Sequence, residues 1–142
     1  MKTAKTLITE RELLIANIKK NWDRIRIENV ADSGPRNYDI QGLYKAIISD
    51  SKKLVDVKVE IQAANMGFTE MSQVPATCIY PSIYALQQLK EQKIKLNMMP
   101  TKGKNVILSP VFVTNEVQEI DVMILAIEKQ LENFNNSVEF GN

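Results

Sequence analysis

Apolar residues recur at helical intervals over most of the chain, and the most regular run lies near its end. Across residues 115–134, Val117, Ile120, Ile124, Ile127, Leu131 and Phe134 follow one another at spacings of 3, 4, 3, 4 and 3. That is the a/d seam of a helix made to lie along another helix. Glu116, Gln118, Glu119, Asp121, Glu128, Lys129, Gln130 and Glu132 fall mostly off it. A second seam runs through residues 40–65, where Ile40, Ile47, Leu54 and Ile61 lie seven apart and Leu43, Asp50, Val57 and Ala64 fill the alternate positions. Tyr44, Ile48, Val55 and Val59 widen that face. The two seams predict each other as neighbours within the chain.

The same reading orders the rest. Residues 3–27 predict a long first helix, with Leu7, Leu14, Ile18 and Ile25 on one stripe and Ile8, Ile15 and Trp22 on an adjoining one. Thr3 or Thr6 would cap its start. Its end is ambiguous, because residues 24–27 alternate like a strand. Residues 31–38 form a loop rich in turn formers, and Asp39 is the N-cap expected for the second helix. Gly67 suits a left-handed stop. Residues 68–80 lack a period, and Pro81 opens a third helix through residue 98, bearing Ile83, Leu86, Leu89, Ile94 and Leu96. Residues 106–113 are rich in Val and Ile and predict an extended segment, with Pro110 marking an edge or a bulge. Asn115 followed by Gln118 resembles a capping box and places the start of the last helix. Residues 137–140 alternate and would pair with 106–113. The fold class is therefore mostly α: an elongated helical bundle built on a long αα-hairpin, with a short β-ribbon near the C-terminus. Residues 1–142 make a single domain.

Composition narrows the chemistry. The 142 residues contain 44% hydrophobic and 25% charged side chains, and 18 basic against 17 acidic residues leave a charge of +1. Bulk charge gives no nucleic-acid or membrane signal. No apolar run reaches the length of a membrane span or a signal peptide, and the single cysteine, Cys78, fits a reducing, cytoplasmic setting. The chain has no histidine, which removes the commonest general base and the commonest zinc ligand. No cofactor signature is present, and an enzyme is not the expected class.

Leu7-Ile8-Thr9-Glu10-Arg11, Arg24 through Asn29-Val30, the Gly34 loop, Ile61-Gln62-Ala63-Ala64-Asn65, Ile120-Asp121 and Asn135-Asn136-Ser137-Val138 together resemble a small bacterial and phage helical family labelled septicolysin-like. Gln87-Gln88 stand where that family has an Arg-Asp pair, and the chain has no tryptophan near its terminus. The resemblance implies a coiled, mostly helical fold and no particular reaction.

Candidate ligand-binding residues come from the loops. Arg24, Arg26 and Arg36 flank the first loop and could converge on an anion, or pair with Glu28, Asp32 and Asp39 nearby. Lys102 and Lys104, around Gly103, offer two ammonium groups to a phosphate, although the turn lacks the Walker pattern and solvated Lys/Gly turns are ordinary. Tyr80 and Tyr84 could stack on a base or simply anchor the bundle. Asp50, polar within the second seam, would pair with Arg11, which interrupts the first helix's stripe.

These features lead to a non-enzymatic, oligomeric helical binding protein that sequesters a small anionic, nucleotide-derived ligand or a host partner, as a phage-encoded sponge would. A ligand-free coiled-coil scaffold is the alternative. Apolar faces broader than one neighbour needs point to homo-oligomerisation.

Overall fold

A computed structural model of the chain describes residues 2–32 and 34–137. The first helix, α1, is Ala4–Glu28, and Thr3 caps it by accepting from the Thr6 backbone N–H at 3.2 Å. Residues 24–27 are helical, so Ile25 continues the inward stripe of Leu7, Ile18 and Trp22 rather than starting a strand. α2 is Ile40–Asn65, capped by Asp39, whose carboxylate accepts from the Gly42 N–H at 3.1 Å. Gly67 takes φ 89° just past its end, where the Phe68 N–H reaches back to the Ala63 carbonyl. A 3₁₀ turn, Met71–Gln73, leads to α3, Tyr80–Asn97, and the last helix, α4, is Pro110–Ser137.

α4 corrects the sequence reading. It begins five residues before Asn115 and absorbs half of the segment expected to be extended. Proline at the first helical position lacks only an N–H that would have no intrahelical partner there, and Ser109 ahead of it accepts from the Phe112 N–H at 3.1 Å. Asn115 is thus well inside the helix and caps nothing. The expected ribbon is not formed by residues 106–113: Val106 makes an isolated antiparallel bridge to Val30, Ser137 closes α4, and residues 138–140 lie outside the described residues. Among the described residues no strand occurs and no helix is long and apolar enough to cross a membrane.

The helices run up and down in sequence order, α1 along α2, α2 along α3 and α3 along α4. Lys93–Asp121 (2.6 Å) and Lys90–Glu128 (3.8 Å) tie α3 to α4 antiparallel. The α4 seam therefore lies chiefly against α3, not against the α2 seam that its heptads predicted. α4 meets α2 near its own start, where Trp22, Tyr44 and Phe112 form an edge-to-face chain with centroids 6.0 and 5.6 Å apart. Around them sits the core, including Ile18, Ile25, Ile40, Ile47, Leu96, Leu108 and Ile120. The expected Asp50–Arg11 pair is absent. Arg11 bonds Glu12 instead, and Asp50 is half-buried on α2.

The loops following α1 and α3 interlock at this end. Asn29, fully buried, donates Nδ2 to the carbonyls of Pro100 (2.7 Å) and Leu108 (3.0 Å), and its Oδ1 accepts from the Leu108 N–H (2.7 Å). Neutral hydrogen bonds each contribute about 1 kcal/mol net, but a buried amide left without one is far costlier. This side chain therefore fixes the second loop against the first.

Candidate functional site

The residues selected from sequence divide between the two ends of the bundle. At the interlocked end, Arg36 donates to the carbonyls of Glu28 (2.7 Å) and Asn29 (3.0 Å), satisfying acceptors at the end of α1. Arg24 lies over the Tyr38 ring at 4.5 Å, a cation–π contact, and Arg26 is 4.0 Å from Asp23. Lys102 and Lys104 are exposed on the neighbouring loop. The fold thus brings the arginine loop and the lysine turn together. Their anion-seeking backbone groups are already occupied, however: Asp32 accepts from the Lys104 N–H at 3.0 Å, and Glu28 accepts from the amides of Asn37 and Tyr38.

Tyr80 and Tyr84 stack with centroids 6.0 Å apart at the opposite end, beside Lys58. Lys58 is 18 residues beyond Ile40 on α2, an axial distance of about 27 Å. A ligand held by the basic loops and stacked on these tyrosines would therefore need two copies of the chain. Among the described residues no cluster of three or more metal-ligating side chains occurs.

A different site emerges where α2, α3 and α4 diverge. Below the aromatic chain the helices leave an open groove of about 560 Å³. α2 contributes Ile48, Ser51, Lys52 and Val55; α3 contributes Ala85, Gln88, Leu89 and Gln92. α4 supplies Glu116, Glu119, Ile120, Met123, Ala126 and Ile127. On each helix the lining positions recur at seven residues: 48 and 55, 85 and 92, and 116 and 123, 119 and 126, 120 and 127. That repeat keeps one face of each helix turned toward the same channel.

The groove ends in a polar cluster. Gln92 donates Nε2 to the hydroxyl of Tyr44 at 2.9 Å. Burial pushes the Tyr44 phenol up to about 12, against the opposing effect of the Gln92 hydrogen bond. Burial also raises the Glu116 carboxyl, helped by the Glu119 charge, while hydrogen bonding with Tyr44 holds it down. A largely apolar channel with polar groups at its end and along its rims is a usual form of a binding site. Its sequence signal was the face widened by Tyr44, Ile48 and Val55; Gln92 and Glu116 carried none, because only tertiary packing brings them to Tyr44. No family model, curated protein or solved structure matches this chain.

Proposed function

We propose that this is a non-enzymatic helical binding protein whose α2–α3–α4 groove takes an amphipathic helix from a partner. One observation carries the reading: the seven-residue recurrence of lining positions on all three helices. Lining spaced at seven residues offers a fourth helix the register it needs for knobs-into-holes packing. Seating about four apolar side chains would contribute roughly 1.5–3 kcal/mol each, less the cost of ordering and immobilising the partner.

The test uses a labelled 21-residue peptide with an Ile/Leu heptad seam, its binding followed by fluorescence anisotropy. Met123 is 45% exposed in the groove, so Met123→Asp leaves the fold intact and is expected to weaken binding at least tenfold. Absence of binding, or binding indifferent to this substitution, refutes the reading.

A second reading, self-assembly into a scaffold, draws on the outer side of α3 and α4. Ile94 and Leu125 are each 57% exposed there, and exposed apolar clusters mark contact surfaces. Sedimentation equilibrium tests it: the chain would be oligomeric and Leu125→Glu would dissociate it. A monomer at all concentrations removes this reading and leaves the first standing.

A further inference from the structure

The groove's rims are not alike, and the difference specifies its occupant. The α4 rim carries two carboxylates, Glu116 and Glu119, one turn apart. Neither has an ion-pair partner among the described residues, although Asp121 and Glu128 on the outer side of the same helix are paired with Lys93 and Lys90. The α2 rim carries Lys52, which likewise has no ion-pair partner among the described residues. A docked helix would shield all three from water. Buried charges left without partners oppose association, so the partner must supply their complements.

We infer that the helix accepted by this groove is amphipathic with basic side chains along the edge facing α4, where they meet Glu116 and Glu119. The inference rests on the helix-docking reading and gives it a chemical specificity. Lys52 sets the opposite edge, which is acidic or neutral, so a helix with charges of one sign on both flanks fits only half of the site. The two glutamates repel each other, and Glu116 is also partly desolvated; a guanidinium or ammonium group between them relieves both effects. The same charge pattern discriminates against an acidic helix, whose flank would add like charges beside Glu116 and Glu119.

The experiment compares two 21-residue helical peptides with one apolar seam, lysine along the α4-facing edge in one and glutamate in the other. The lysine peptide is expected to bind at least tenfold more tightly in ~50 mM salt, with the gap narrowing toward 0.5 M as screening shortens to a few ångströms. In the Glu116→Gln, Glu119→Gln double variant the preference is expected to vanish while binding persists. Circular dichroism of that variant checks that the helices remain. Equal binding of both peptides, preference for the glutamate peptide, or a preference that survives the double variant overturns the charge inference and leaves helix docking intact. Failure of both peptides to bind overturns docking itself, and the inference with it.

Discussion

Replacing Asn29 with alanine tests the account of the interlocked end most directly. The substitution removes three side-chain hydrogen bonds and strands the Leu108 N–H and the Pro100 and Leu108 carbonyls. Leu108 is 2% exposed, so water cannot replace the lost partner without opening the core. An orphaned buried donor costs about 1–3 kcal/mol, and two further lost bonds add roughly 1 kcal/mol each, giving about 3–5 kcal/mol in all. Against a typical total of about 5–15 kcal/mol this is a large fraction. For a chain of this size it corresponds to a fall in Tm of roughly 10–15 °C. Urea unfolding followed at 222 nm measures the free energy, and amide exchange at Leu108 localises it. Asn29→Asp sharpens the test. It keeps an acceptor for Leu108 but turns an anionic oxygen toward two carbonyls, which raises that carboxyl's folded pKa. Its penalty should therefore grow as pH rises above about 4, the ordinary carboxyl value, and shrink in acid. If Asn29→Ala loses less than about 1 kcal/mol, the clamp does not hold the loops as argued.

Three further outcomes follow from the same geometry. Ser109→Ala removes the acceptor for the Phe112 N–H and should destabilise by about 0.5–2 kcal/mol in thermal unfolding; a neutral result would mean that Pro110 alone starts α4. Gly103 has φ 136°, and a Cβ there would lie 2.5 Å from Val30 Cγ1 and 3.0 Å from Asp32 Oδ1, so Gly103→Ala should cost about 1–3 kcal/mol, read as a lower urea midpoint. Tyr44, whose phenol is pushed up to about 12, contributes stability that is full below the ordinary value near 10 and lost as pH rises toward 12. Titration at 295 nm should show Tyr44 ionising last, and Tyr44→Phe should remove that last step.

Local chemistry was readable from the sequence; distant pairing was not. The bounds of α2 follow from its heptads, from Asp39 at its cap and from Gly67 beyond its end, all within a few residues of the feature they specify. α4 starts earlier than its sequence suggests: Val106, Ile107, Val111 and Val113 favour a strand, a preference that masks the Ser109-Pro110 start signal. Arg36 is recognisable as a cation, but its use as a partner for the end of α1 requires the loop to fold back over Glu28 and Asn29. Asn29 gave no signal, since its partners lie 71 and 79 positions away. The groove was hidden for a related reason. Two equally regular seams cannot say whether α4 lies on α2 or α3, and the channel exists because it lies on α3.

The Asn29 clamp also changes how the molecule is joined mechanically. α1–α2 is one hairpin and α3–α4 is another, linked through the chain by residues 66–79 at one end. At the opposite end Asn29 and Val30 of the first hairpin grip Pro100, Val106 and Leu108 of the second. The two hairpins thus share a core and are also tied at both of its ends, once by peptide bonds and once by hydrogen bonds. Cutting the peptide link within Met71–Gln73 would leave the second attachment in place, so the two halves made as separate polypeptides should reassemble by fragment complementation. With Asn29→Ala they should reassemble markedly more weakly.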